Sequence, residues 1–168
     1  MSDDGKIRAV IVDDEDLARK VLSEYAGSEP DLEVVAECAN GFDAVKAIGE
    51  LKPDLVFLDV QMPKLSGFEV LELIGREVAV IFVTAYDTYA MKAFDAHAVD
   101  YLLKPYTRDR FRTALDRARQ RLRSRARAPS SDRPSFPKRS FRSTSPPAIT
   151  ISRSGFGIRD RSKDSAAR

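Results

Sequence analysis

Five polar side chains stand at the ends of apolar runs in this sequence, at positions where chemistry could explain them. Asp13 and Asp14 follow "IRAVIV", and Asp59 follows "DLVFL". Thr84 follows "VAVIFV", and Lys104 follows "VDYLL". Burying an unpaired charge is unfavourable. A charged residue at the end of a buried strand is therefore a candidate for a functional role.

Three carboxylates held close together repel one another, and some take up protons unless a cation lies among them. Oxygen ligands without His or Cys favour a hard ion. Mg²⁺ fits because it accepts one or two carboxylates, keeps waters and binds phosphate oxygens. Asp59 is then a candidate nucleophile that becomes an aspartyl phosphate. The metal, the Lys104 ammonium and the Thr84 hydroxyl would take the charge of the phosphoryl oxygens.

Each of these residues also has an ordinary structural explanation. An Asp-Asp pair alone is most often a helix N-cap followed by an acid that complements the helix dipole. Asp59 alone could cap a loop, Thr84 alone is typical of a strand-end turn, and Lys104 alone is typical of a solvated surface. The chemical interpretation depends on a fold that brings all of them to one edge.

The segments that must position these residues alternate between strand-like and helix-like patterns over residues 7–125. Strands are predicted at 7–12, 33–38, 54–58, 78–83 and 99–103. Helices are predicted at 14–26, 40–51, 66–74, 88–97 and from Thr107 onward, the last with Phe111, Leu115, Ala118 and Leu122 on one face.

Five successive βα units predict a flavodoxin-like, doubly wound (βα)5 domain with a parallel sheet of strand order 2-1-3-4-5. Ligands bind such sheets at the carboxyl ends of the strands, near the point where the strand order reverses. That point lies between the first and third strands. The fold class therefore predicts that the five polar residues share one rim.

The charge of the chain changes sign along its length, although the total is only +2. Residues 1–123 carry 17 Lys and Arg against 23 Asp and Glu, whereas residues 124–168 carry 11 against 3. We predict a globular domain at 1–125 and a basic tail, rich in Ser, Pro and Arg, at 126–168. This composition cannot bury enough apolar surface to offset chain entropy, so the tail is expected to be disordered.

Several features indicate a cytoplasmic protein without membrane contact. Cys38 is the single cysteine, so no intrachain disulfide can form. The N-terminus "MSDDGK" lacks the basic and apolar order of a signal peptide. The longest apolar run, 78–83, is far too short to cross a bilayer.

Four blocks of the sequence resemble the signature blocks of response-regulator receiver domains in two-component signalling. They are "VIVDDED", "DLVFLDVQMPKLSGFEVL", "IFVTA" and "VDYLLKPY", in order over about residues 7–123. The resemblance implies that Asp59 is the phosphoacceptor, supplied by a histidine kinase or a small phosphodonor. It also implies that Asp14, Asp59 and the carbonyl of Gln61 bind Mg²⁺ directly, and that Asp13 acts mainly through water.

The same resemblance implies a conformational switch. Thr84 and Lys104 would contact the phosphoryl group, and the Lys104–Pro105 bond is expected to be cis. Phosphorylation adds about two negative charges and draws the Thr84 hydroxyl inward. Tyr101 then fills the vacated space, and the 87–123 face changes shape to meet a partner, including a second copy in a homodimer. Gln61 and Tyr86 stand where the family tunes the lifetime of the phosphate.

The block "FVTAYDTYAMKAFDAHAVDYLLKPY" (82–106) is similar to receivers of LytTR-type transcription regulators, which continue into a β-rich DNA-binding domain. Residues 124–168 lack that pattern, so DNA binding by this chain is left open. The tail is interpreted as a truncated linker, as an arm for nucleic acid or an acidic partner, or as frame-shifted translation. His97, the sole histidine, is expected to be structural.

We expect a signalling switch and not an enzyme. One alternative is a stand-alone receiver that acts by protein contact without DNA. A weaker alternative is a Mg²⁺-dependent phosphatase with an aspartyl intermediate. Dehalogenase-type phosphatases place the nucleophile in a D-x-D arrangement after the first strand, whereas here the first strand ends in Asp13-Asp14-Glu15.

Overall fold

The structure, a computed structural model, describes residues 5–89 and 96–128 of the 168-residue chain. Strands and helices alternate along it. The strands are β1 Ile7–Val12, β2 Leu32–Cys38, β3 Leu55–Leu58, β4 Ala79–Thr84 and β5 Asp100–Leu103. The helices are α1 Asp16–Gly27, α2 Gly41–Leu51, α3 Gly67–Ile74 and α4 Arg108–Arg127, with a 3-10 turn at Asp87–Tyr89.

These strands form one parallel sheet in the order β2-β1-β3-β4-β5, which confirms the predicted flavodoxin-like architecture. Val12 at the end of β1 pairs with Leu58 at the end of β3. Thr84 at the end of β4 pairs with Leu103 at the end of β5. The carboxyl ends of four strands therefore meet along one edge.

The sheet is buried on both faces, because alternate residues of each strand point to opposite sides. Ala9 and Ile11 pack into a core with α1 and α4, which contains Leu22 and Phe111. Val10 and Val12 pack into the opposite core with α2 and α3, which contains Ile48 and Val70. This two-sided burial explains why β1 and β3 read as continuous apolar runs.

Side-chain caps fix where three of the helices begin. The side chain of Asn40 accepts a hydrogen bond from the Asp43 N–H and opens α2. Ser66 and Glu69 form a reciprocal capping box at α3, and Thr107 caps α4. Each cap satisfies a backbone N–H that has no partner inside its helix, and the three capping residues are the first residues of the predicted helical segments 40–51, 66–74 and from Thr107 onward.

Two sequence predictions fall partly on residues outside the described ranges. Of the predicted helix at 88–97, residues 88–89 belong to the 3-10 turn, residues 96–97 form a turn in place of a helix end, and residues 90–95 lie outside. Residues 129–168 of the predicted tail also lie outside. Residues 126 and 127, assigned to that tail, belong to α4. Within the described ranges, none of the helices combines the length and hydropathy that a bilayer crossing requires.

Candidate functional site

The candidate site lies at the carboxyl edge of the sheet, where backbone hydrogen bonds connect the strand ends. The Asp59 N–H donates to the Val12 carbonyl at 2.8 Å. The Lys104 N–H donates to the Thr84 carbonyl at 2.8 Å. These two bonds fix the residues that follow β3 and β5 against the ends of β1 and β4.

Three carboxylates converge at this edge. Asp13, Asp14 and Asp59 each offer one oxygen, and the three oxygens lie within 4.8 Å of one another. Asp13 is fully buried and Asp59 is 5% exposed, whereas Asp14 faces solvent. The donor set consists of oxygen atoms only and is open on one side. It therefore fits a hard ion such as Mg²⁺, which keeps several of its waters.

The Lys104 ammonium is the protein's own cation in this cluster. Its Nζ lies 2.7 Å from Oδ2 of Asp13, 3.7 Å from Oδ2 of Asp59 and 3.9 Å from Oε2 of Glu15. Desolvation opposes the charge of Lys104. The hydrogen bond to Asp13 and the charge of Asp59 outweigh it, so the pKa of Lys104 is raised. Its closest ion pair is with Asp13.

Asp59 is less well compensated than Asp13. Burial raises the pKa of Asp59 from 3.8 to about 6, and the nearby charge of Asp13 adds to the increase. The Lys104 ammonium and a hydrogen bond from the Gln61 N–H to Oδ1, 3.1 Å long, act in the opposite direction. In the structure, Gln61 thus contacts Asp59 through its backbone N–H, whereas the family resemblance assigns its carbonyl to the metal.

The two predicted switch residues contact the same short loop. Thr84 is fully buried, and its Oγ1 accepts a hydrogen bond from the Tyr86 N–H at 3.4 Å. Tyr101 is half-buried, and its hydroxyl donates to the Tyr86 carbonyl. Desolvation is the main reason why the pKa of Tyr101 is raised. Tyr86 therefore connects the buried hydroxyl at the end of β4 with the aromatic side chain of β5.

Sequence reasoning missed Gly67, the first residue of α3. A Cβ on this residue would lie 2.3 Å from the backbone oxygen of Asp59 and 3.0 Å from its carbonyl carbon. The Gly67 N–H also donates to the Val60 carbonyl at 2.9 Å. The absence of a side chain lets α3 begin directly against the loop that carries Asp59. The signal was a glycine directly after the capping Ser66.

A second missed feature is the ion pair that supports Tyr101 from outside the sheet. The Arg110 guanidinium makes two hydrogen bonds of 2.8 Å to the Asp100 carboxylate and one of 2.7 Å to the Tyr101 carbonyl. The Tyr101 N–H donates to Asp100 Oδ1 at 2.8 Å. Arg117 adds a further ion pair to Asp100. Because β5 lies at the edge of the sheet, these side chains cover backbone groups that an edge strand leaves open.

Two other predicted features can be placed. The Lys104–Pro105 peptide bond is cis, as the resemblance implies. His97 has a left-handed backbone conformation (φ 60°) and is exposed. It lies just before β5, away from the carboxyl edge.

Comparisons with known proteins agree with this geometry. The family model for the response regulator receiver domain matches residues 9–116. The chain is 47% identical over 116 residues to the transcriptional regulatory protein BtsR of Salmonella typhi, which covers 68% of this chain and 48% of that protein. It is 43% identical over 113 residues to an uncharacterized response regulatory protein of Vibrio cholerae, covering 66% and 48%. The chain thus spans about half the length of the curated relatives it matches.

Solved structures show the same domain. The response regulatory domain of mrkE from Klebsiella pneumoniae aligns with a TM-score of 0.65 at 30% identity, covering 70% of this chain and 99% of that one. The response regulator domain of Thermotoga maritima CheB aligns with a TM-score of 0.61 at 33% identity, covering 70% and 97%.

Proposed function

Because the chain belongs to the response regulator receiver domain family, we propose that it is a phosphorylation-driven switch whose phosphoacceptor is Asp59 and whose partner is a histidine kinase. The observation that carries this proposal is the cluster of three carboxylates beside the Lys104 ammonium. Asp59 lies farther from the Lys104 ammonium than Asp13 does, and burial raises its pKa to about 6. A metal ion that neutralises this charge would therefore relieve the unfavourable burial of the Asp59 carboxylate.

Mg²⁺ is the cofactor we propose for the cluster, held by Asp13, Asp14, Asp59 and the carbonyl of Gln61. The fit rests on the oxygen-only donor set and on the buried charge of Asp59. When bound, the ion would neutralise carboxylate charge and the charge that develops on the phosphoryl oxygens. Asp14 is the exposed member, so it would hold the ion from the solvent side.

Phosphoryl transfer assigns a role to each remaining site residue. A carboxylate oxygen of Asp59 attacks phosphorus, forming a P–O bond as the P–N bond of the kinase phosphohistidine breaks. The imidazole leaves and takes up a proton from solvent. Lys104 lies within 3.7 Å of Asp59 and would pair with a phosphoryl oxygen. The Thr84 hydroxyl would donate to another, at the cost of its contact with the Tyr86 N–H.

The switch follows from that contact. If Thr84 turns toward the phosphoryl group, its hydrogen bond from Tyr86 is lost, and the loop that accepts the Tyr101 hydroxyl is freed to move. The Asp100–Arg110 pair holds the backbone of Tyr101 and joins it to α4. A change at Asp59 is thereby transmitted to the 87–123 face, where we propose that output partners or a second copy bind.

We infer a transcriptional output of the LytTR type. This inference rests on the sequence block at 82–106 and on the name of the relative BtsR as a transcriptional regulatory protein. The match lies within the receiver half of that relative, so DNA binding would belong to sequence beyond the matched part. A cytoplasmic location and a regulatory, non-enzymatic role are part of the same proposal.

Incubation with acetyl phosphate and Mg²⁺, followed by intact mass measurement, tests the phosphoacceptor. We expect one added phosphoryl group on the wild type and none on Asp59→Asn. Glu33→Gln, an exposed carboxylate of β2, is the control and is expected to behave as the wild type. Label that persists in Asp59→Asn would contradict the assignment of Asp59. Sustained release of phosphate from many esters would instead indicate a phosphatase.

A further inference from the structure

A second concave region lies at the amino ends of the strands, opposite the carboxyl ends where Asp59 lies. It is a cavity of about 190 Å³ at the amino ends of β4 and β5, bounded by the ends of α3 and α4. Four basic side chains line it: Arg76 after α3, His97 before β5, and Arg121 and Arg125 on α4. Among the described residues that line this basal cavity, none carries a carboxylate.

Among the described residues, the arginines of the basal cavity have no acidic partner within ion-pair distance. Arg125 donates to the backbone carbonyls of Arg76 and Glu77, which fixes the guanidinium at the rim. Within residues 5–89 and 96–128, Arg76 and Arg121 form no ion pair with an acidic side chain. By contrast, Arg110 and Arg119 of the same helix, α4, each pair with a carboxylate. Like charges gathered in a concave site raise the local positive potential and attract anions.

The floor of the basal cavity is apolar. Ala79 and Val80, at the start of β4, are buried, and Val78, Val99, Leu71 and Ala96 also line the cavity. A bare inorganic ion would leave this surface in contact with water. A ligand that combines an oxyanion with a compact apolar body would use both the arginines and the floor, and guanidinium groups match carboxylate and phosphate-type oxyanions in a bidentate manner.

We propose that the basal cavity binds a small amphipathic anion, with one carboxylate or phosphate-type group held by Arg76 and Arg121 and an apolar body against the start of β4. The site is independent of the acidic cluster, because the two lie at opposite ends of the same parallel strands. β4 runs from this cavity to Thr84 at its carboxyl end, and Tyr101 is the second residue of β5.

Titration of the full-length, ¹⁵N-labelled protein with phenylphosphonate or benzoate tests the proposal. Phenylphosphonate has a P–C bond and is not a phosphodonor, so it cannot label Asp59. We expect saturable shifts of the amides of residues 78–80 and 99. Removing one charge-assisted contact, in Arg76→Gln or Arg121→Gln, is expected to weaken binding about tenfold. The relative affinities of the two probes distinguish a phosphate-type site from a carboxylate site.

Three comparisons make the test decisive. Arg123→Gln removes an exposed arginine of α4 that does not line the cavity, and it is expected to change the affinity less than twofold. Asp59→Asn is expected to bind the probes as the wild type does, so failure of the phosphoacceptor assignment leaves this result unaffected. Benzyl alcohol, which lacks the charge, is expected to bind at least about tenfold more weakly.

Two results would overturn the basal site. The first is equal weakening by Arg123→Gln and Arg121→Gln, which would indicate general attraction of anions to α4. The second is the absence of saturable shifts at residues 78–80 with both probes. All three arginines substituted here are exposed, so their variants are expected to fold, and overlay of the unliganded spectra checks this directly.

Discussion

Replacing Asp59 with asparagine is expected to stabilise the metal-free protein at neutral and alkaline pH. The reason is the burial of this carboxylate, which raises its pKa to about 6 even with Lys104 nearby. A raised carboxyl pKa means that the folded state binds the proton more tightly than the unfolded state. Ionised Asp59 is therefore a cost to folding, and asparagine keeps the shape of the side chain without the charge.

The size of the effect follows from the shift in pKa. One pKa unit corresponds to about 1.4 kcal/mol. The increase from 3.8 to about 6 thus predicts a cost of about 3 kcal/mol at pH 8, where Asp59 is ionised in both states. At pH 5 the folded state is largely protonated, and the cost falls to about 2 kcal/mol. Below pH 3.8 it disappears.

Urea unfolding of wild type and Asp59→Asn in EDTA, at pH 8 and pH 5, measures this difference. We expect the variant to be the more stable, with an advantage that is about 1 kcal/mol larger at pH 8 than at pH 5. Glu33→Gln removes an exposed carboxylate and is expected to show no comparable pH dependence. A variant that is less stable than the wild type at pH 8 would refute the reasoning. An advantage that does not shrink at pH 5 would also refute it.

At a concentration of a hundred times its Kd, Mg²⁺ is expected to stabilise the wild type by about 3 kcal/mol. In thermal unfolding, the same Mg²⁺ concentration is expected to stabilise Asp59→Asn clearly less. Lys104→Met leaves the buried Asp13 carboxylate without its nearest cation. It is expected to lower the free energy of unfolding by about 3 kcal/mol at pH 8, measured by urea unfolding. Gly67→Ala forces a Cβ against the phosphoacceptor backbone. It is expected to cost about 1–3 kcal/mol and to slow labelling by acetyl phosphate, whereas Gly49→Ala meets no atom within 4 Å and is expected to gain up to about 1 kcal/mol. Arg110→Gln is expected to shift the amide resonance of Tyr101 in ¹⁵N NMR spectra. Arg112 pairs instead with Glu29 in the loop between α1 and β2, so Arg112→Gln is the control and is expected to leave that resonance unchanged.

The parallel sheet and the meeting of the acidic residues were predictable from the sequence because they follow from its periodicity, whereas the strand order 2-1-3-4-5 came from the match to a flavodoxin-like domain. Continuous apolar runs indicated strands buried on both faces, and their alternation with helical segments indicated a parallel sheet. Once the sheet is parallel, residues that directly follow strands lie at one edge. The proximity of Asp13, Asp59 and Lys104 follows from that rule.

The roles of Gly67 and Arg110 were not predictable in the same way. Gly67 matters because an Asp59 carbonyl eight positions earlier lies where its Cβ would be, and no local pattern records that approach. Arg110 reads as one more arginine on a basic helix. In the folded protein its guanidinium joins the Asp100 carboxylate to the Tyr101 carbonyl. Both depend on side-chain geometry between elements, which periodicity does not specify.

The position of Lys104 explains how the cluster can be both stable and reactive. Its ammonium lies 2.7 Å from Asp13 but 3.7 Å from Asp59, so it neutralises mainly the carboxylate that the proposed transfer does not consume. Asp59 keeps an unfavourable charge worth about 3 kcal/mol at pH 8, which corresponds to a population change of about a hundredfold. A metal ion bound at Asp59 would relieve this cost, whereas a phosphoryl group would place further negative charge at the same buried position. Moving Lys104 closer to Asp59 would therefore lower the pKa of Asp59 and reduce the cost of keeping its carboxylate ionised.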